Sequence, residues 1–121
     1  MKFLWSTLNV RNMEESLGFY QGVLGLTLNH RFQAGPDMEI AFLGDGETKI
    51  ELIADRSLLD VDPGKHISWG FQVESLEAVM DTLSKRQIEV LAGPFQPNPS
   101  TRFLFIADPN GFRIQLVEEN K

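Results

Sequence analysis

Glu51 and Gln115 occupy matching surroundings in this chain: Ile50-Glu51-Leu52 and Ile114-Gln115-Leu116 lie 64 positions apart. A carboxylate at such a point can take a proton as a general base or ligate a metal ion. A glutamine offers only a neutral carbonyl oxygen and an NH₂ group. Other side chains able to contact a ligand are Trp5, Thr7, His66, Ser68 and Arg102. Lys49, Arg102 and Arg113 are cations that can pair with the carboxylate. There is no cysteine, which removes disulfides, thiolate ligands and thiol nucleophiles. No phosphate-binding glycine loop, nucleophile elbow or zinc-peptidase pattern occurs.

The elements that must position these residues repeat. At an offset of 63, Val10 meets Val73, Phe32 meets Phe95, Gln33 meets Gln96, Pro36 meets Pro99, Phe42 meets Phe105 and Asp45 meets Asp108. One inserted residue in the later turn moves the offset to 64. Phe3–Val10 and His66–Val73 alternate like strands. A helix follows each. Asn12 caps the first, Glu15 closes a capping box, and Met13, Leu17, Tyr20 and Leu24 form its apolar stripe before Gly25. Ser75 caps the second, with Leu76, Val79, Met80 and Leu83 as the stripe and Lys85 and Arg86 at its C-terminus. Three more strands follow in each half, over about 26–32, 38–43 and 48–54, then 88–91, 101–107 and 112–118. Gly-Asp-Gly and Asp-Pro-Asn-Gly join the last two strands of each half. FQPNPST, residues 95–101, reads as a loop. The plan is βαβββ, twice: module one over about 1–54, a linker over 55–65, and module two over about 66–121.

Alternation assigns faces. Leu4, Leu8 and Val10 pack toward a helix, leaving Trp5, Thr7 and Asn9 on the open face. Ile67, Trp69, Phe71 and Val73 pack inward, leaving His66, Ser68, Gly70 and Gln72. Ile50 and Leu52 leave Lys49, Glu51 and Ile53; Phe112, Ile114 and Leu116 leave Arg113, Gln115 and Val117. Alternation leaves the face of His30 undecided.

Paired βαβββ halves, with NMEESLGFYQGVLGL opening the first and DPNGFRIQLVEEN closing the second, resemble the vicinal oxygen chelate superfamily. That group includes glyoxalase I, extradiol dioxygenases and the bleomycin-resistance proteins. The resemblance implies an α+β fold in which two modules form an eight-stranded, incompletely closed cup with helices outside, commonly within a homodimer. Gly93, Pro94 and Phe95 would then shape the cup edge. The resemblance also implies a metal position built from Trp5, Glu51, Ser68 and Gln115, where glyoxalase I would show histidine or glutamine, glutamate, histidine and glutamate. Only Glu51 matches. Trp5 cannot ligate, Ser68 is a poor ligand and Gln115 is uncharged. His66 precedes Ser68 by two residues, about 6.5 Å along a strand.

Two functional classes follow. In the first, the cup binds a small molecule and the glyoxalase metal site is largely lost, so no cofactor is expected. In the second, a lactoylglutathione-lyase-like lyase or isomerase uses Glu51 as base, with zinc, nickel, iron or manganese held weakly by Glu51 and Gln115. A net charge of −6 argues against nucleic acid and anionic membranes as partners. MKFLWSTLNVRN has no signal-peptide pattern and no run is long enough to span a bilayer, so a cytoplasmic protein is expected.

Overall fold

The computed structural model describes residues 1–58, 60–64 and 66–120. The chain divides into two compact units, Met1–Pro63 and Gly64–Lys121. The expected linker over 55–65 spans that division; its Leu59 and Lys65 lie outside the described residues.

The first unit runs β1 (Trp5–Asn9), α1 (Met13–Gly22), β2 (Leu28–Gln33), β3 (Met38–Leu43) and β4 (Lys49–Asp55). Its sheet has the order β1-β4-β3-β2, with β1 parallel to β4 and the other pairs antiparallel. Such a parallel pair needs a long crossover, which α1 and the β2–β3 hairpin supply. The Asn12 side chain accepts the Glu15 N–H at 2.9 Å and caps α1. The expected reciprocal half of the box does not form. The Glu15 carboxylate instead takes Arg11 at 2.8 Å, a charge-assisted partner that a backbone N–H does not match. Met13, Leu17, Phe19 and Tyr20 of α1 are buried, as are Leu8, Val10, Ala41, Leu43 and Leu52 of the same unit's strands and turns.

The second unit repeats this with β5 (Ser68–Val73), α2 (Leu76–Lys85), β6 (Ala92–Asn98), β7 (Thr101–Ala107) and β8 (Arg113–Glu119), in the order β5-β8-β7-β6. Ser75 caps α2 by accepting the Ala78 N–H at 3.2 Å. Leu76, Leu83, Leu104, Ile106, Phe112, Ile114 and Leu116 form the core. The Asp-Pro-Asn-Gly turn is held by Asp108 Oδ1, which accepts the N–H groups of Asn110 and Phe112, both at 2.8 Å.

Three expectations fail locally. Leu4 and Ile67 are 54% and 60% exposed rather than packed. They precede the first residues of β1 and β5, and alternation fixes a side chain's direction without guaranteeing that anything covers it. Residues 88–91 are not a strand, and 95–98 are not a loop: β6 occupies 92–98, and the loop shrinks to a turn at Pro99-Ser100. Pro94 and Pro97 disguised it. As an edge strand, β6 pairs only with β7, through a register interrupted twice, and prolines are tolerated where a ladder N–H is not needed.

The first-turn glutamates of both helices, Glu14 and Glu77, are repeat counterparts, and each binds an arginine from its own sheet. Arg31 of β2 reaches Glu14 and also holds Glu39 at 2.7 Å; Arg102 of β7 reaches Glu77 at 2.7 Å.

Candidate functional site

The open face of the first sheet carries a row across four strands. Thr7 pairs in register with Glu51, Glu51 with Phe42, and Phe42 with His30. Partners in register point to the same side, so all four side chains share one face. Thr7 Oγ1 donates to Glu51 Oε1 at 2.6 Å, a short bond of the charge-assisted kind. Lys49 is turned to the Gly46 carbonyl, so the Thr7 hydroxyl is the group that answers the carboxylate. Trp5, 47% exposed, pairs with Lys49, one same-face step or roughly 6.5 Å from Glu51. Its ring meets the Phe42 edge at 5.4 Å. The register also settles His30: it shares the Glu51 face but stands two strands away, roughly 10 Å, with its ring against Phe32 at 4.8 Å.

The second sheet repeats the row as Gly70, Gln115, Phe105 and Ala92. A Cβ on Gly70 would lie 3.5 Å from Gln115 Oε1, an ordinary contact, so the amide oxygen lies directly beside the glycine. The Arg113 guanidinium sits 4.5 Å from the centre of the Phe105 ring. Phe105 meets Phe103 edge-on at 5.8 Å, and Phe103 meets Phe95 at 5.5 Å. Ser68 pairs with Arg113, one step from Gln115, as Trp5 stands to Glu51. His66 is exposed ahead of β5.

Arg102 is not on this face. It pairs in register with Glu118 beside the helix-facing Leu104 and Ile106, and its guanidinium is committed to Glu77. That bond, with the Glu77 charge, raises the Arg102 pKa; the same bond, a backbone hydrogen bond and the Arg102 charge lower that of Glu77. Phe42 and Phe105, at the centre of each row, did not enter the list of candidate residues drawn from the sequence. Their match at an offset of 63 was the available signal.

The donors do not fit the metal of a glyoxalase. Glu51 is one carboxylate, already hydrogen-bonded; Gln115 is a neutral oxygen; Ser68 is a weak donor; Trp5 is none. Among the described residues no three His, Asp or Glu side chains are grouped to hold a metal ion.

Two four-stranded mixed sheets, each backed by one helix in a βαβββ module, are the architecture of the glyoxalase fold. The chain belongs to the Glyoxalase/Bleomycin resistance protein/Dioxygenase superfamily, which it matches over residues 2–116. It is 33% identical over 129 residues to the lactoylglutathione lyase of Haemophilus influenzae, covering 98% of this chain and 93% of that one. It is 30% identical over 130 residues to the corresponding lyase of Neisseria meningitidis, covering 98% and 91%. In fold it resembles the trypanothione-dependent glyoxalase I of Leishmania major, with a TM-score of 0.84, 20% identity, and coverage of 98% and 87%. It also resembles TnmS3, an antibiotic binding protein from a Streptomyces species, with a TM-score of 0.78, 20% identity, and coverage of 99% and 97%. No helix among the described residues is long and apolar enough to cross a membrane.

Proposed function

We infer that this chain binds a small organic molecule on the open faces of its sheets and does not perform the metal-dependent chemistry of glyoxalase I. The observation that carries this reading is the donor set at the positions where the resemblance implies a metal: one hydrogen-bonded glutamate, Glu51, one neutral amide, Gln115, and no imidazole. Each sheet offers its own aromatic surface for stacking a planar ligand: Trp5 and Phe42 on the first, and Phe95, Phe103 and Phe105 on the second. On the second sheet, Gln115, Ser68 and Arg113 supply polar contacts to a ligand's substituents. We read the protein as a cytoplasmic homodimer, which sedimentation velocity at micromolar concentration tests.

A second reading is favoured by the lactoylglutathione lyases that are about 30% identical along nearly the whole chain. In it, Glu51 takes a proton from a carbon beside a carbonyl, and the Thr7 hydroxyl orients the carboxylate. One experiment separates the two. Protein purified without chelator is assayed for bound metal and for isomerisation of glutathione hemithioacetal, with and without added nickel or zinc. The binding reading expects substoichiometric metal and no turnover above a Glu51→Gln control. Stoichiometric metal with turnover abolished by that substitution overturns it.

A further inference from the structure

The two modules treat one aromatic position in opposite ways. An offset of 63 takes Phe42 to Phe105, and an offset of 64 takes Lys49 to Arg113 and Glu51 to Gln115. In the second module the chain supplies its own cation. The Arg113 guanidinium lies 4.5 Å from the centre of the Phe105 ring, within reach of a cation–π contact, and the residue paired with Phe105 is the neutral Gln115. In the first module the counterpart cation is turned away. Lys49 Nζ donates to the Gly46 carbonyl, and among the described residues no cation lies over Phe42 or Trp5.

The first module instead adds two groups that attract a cation. Trp5 stands where the second module has Ser68, and Glu51 where it has Gln115. Trp5 is on β1 and Phe42 on β3, two strand spacings apart, or roughly 10 Å between backbones. Their ring centres are only 5.4 Å apart, so the two side chains close over the Lys49–Glu51 stretch of β4, with their planes at 71°. Two rings set at a steep angle form a corner of the kind that holds alkylated ammonium groups. The Glu51 carboxylate, half-buried beside Phe42, accepts the Thr7 hydroxyl at 2.6 Å, a neutral donor that leaves its charge uncompensated. Among the described residues no cation pairs with it: Arg31 holds Glu39 and Glu14, and Arg11 holds Glu15.

We propose that the open face of the first sheet takes a small organic cation, its alkylated ammonium group set in the Trp5–Phe42 corner with Glu51 as counter-ion. This ligand class presupposes that the open faces bind small molecules, and it fixes the charge that the first of them selects. A cation over the matching phenylalanine is what the second module already contains; in the first, the ligand brings it. An anion is excluded from the corner because it would meet Glu51 with no cation free to answer it. A neutral ring of the same shape keeps its apolar contact but loses the attraction to the carboxylate and the ring faces.

The test is a titration of the ¹⁵N-labelled chain, in EDTA and at constant ionic strength, with benzyltrimethylammonium chloride, benzyl alcohol and sodium benzoate. These probes share one ring and differ in charge. The Thr7, Phe42 and Glu51 amides and the Trp5 indole N–H should shift and saturate with the ammonium, about threefold or more below the concentration that benzyl alcohol needs, and should not respond to benzoate. Glu51→Gln should weaken ammonium binding about threefold to fivefold and leave benzyl alcohol unaffected, and Trp5→Leu should weaken the ammonium about threefold. Equal responses to the three probes, or an ammonium affinity that Glu51→Gln leaves unchanged, overturn the cation and leave small-molecule binding standing. So does a response of the Gln115 amide to any probe while the Glu51 face stays silent; if neither face responds, both readings fall. If Glu51→Gln fails to fold, Trp5→Leu and the three titrations of the parent decide.

Discussion

Replacing Gly93 by alanine should cost the second module more than any other single added methyl group at its glycines. Gly93 opens β6 at φ +94°, and a Cβ built there lies 2.9 Å from the Phe103 carbonyl oxygen and 3.2 Å from Leu104 Cα. Both are backbone atoms of β7, which moves only by loosening its own pairing with β8. The left-handed conformation costs an L-residue about 1–2 kcal/mol. Forcing the strands apart adds about 1–3 kcal/mol, the usual scale of overpacking. A total near 3 kcal/mol corresponds to a fall in Tm of about 12 °C for a chain of this length. Gly111→Ala is the internal control: its φ is +88°, but nothing lies within 4 Å of the added carbon. It should show the conformational cost alone, about 4–8 °C. Thermal unfolding of both variants by circular dichroism measures the difference. If Gly93→Ala is no worse than Gly111→Ala, β6 does not approach β7 as described and the assignment of 92–98 as a strand is wrong.

Other consequences are smaller. Gln87 follows α2 at φ +59°, a conformation glycine adopts freely, so Gln87→Gly should raise stability by about 0.5–1 kcal/mol, read from the urea midpoint. Thr7→Val keeps the shape at Glu51 but removes its 2.6 Å donor; stability should change by less than about 1 kcal/mol on this exposed face, while ligand affinity or turnover should fall in an assay of either. The Leu76 N–H and the Asn120 amide donate to Glu118 at 2.6 and 3.0 Å and lower its pKa in the folded state, so its contribution is fully present above the unfolded glutamate pKa and is lost as pH falls through the folded value. Glu118→Gln should accordingly lower Tm at neutral pH and flatten its decline with acid, and a parallel acid limb in wild type and variant would contradict that.

Much of the fold was legible because its signals are local. Asn12 and Ser75 cap as residues of their type should, and Asp108 folds its turn with its own side chain. The buried Leu52, Ile114 and Leu116 declare their face by alternation. The resemblance drawn from the two terminal motifs led to the superfamily to which the chain belongs. What escaped was non-local. β6 owes its existence to pairing with β7, which its prolines conceal. Arg102 lies in a run where both faces are apolar, Phe103 and Phe105 against Leu104 and Ile106, so alternation cannot say which face it shares; the register with Glu118 decides. The Thr7–Glu51 bond spans 44 residues and depends on a parallel register that no short window of sequence contains.

That parallel pairing also orders events as the chain leaves the ribosome. β2, β3 and β4 are consecutive antiparallel neighbours and can zip together as each is synthesised, whereas β1 waits for β4, its partner in the ladder. Until about residue 55 has emerged, β1 has no ladder to join and its backbone donors and acceptors stay unpaired. Once β4 arrives, the first module can close while residues 64–121 are still being made. The second module then repeats the same wait, with β5 held open until β8 has been made. Loss of residues from β8 therefore strands β5 as well, so the second module depends on its last strand for its first.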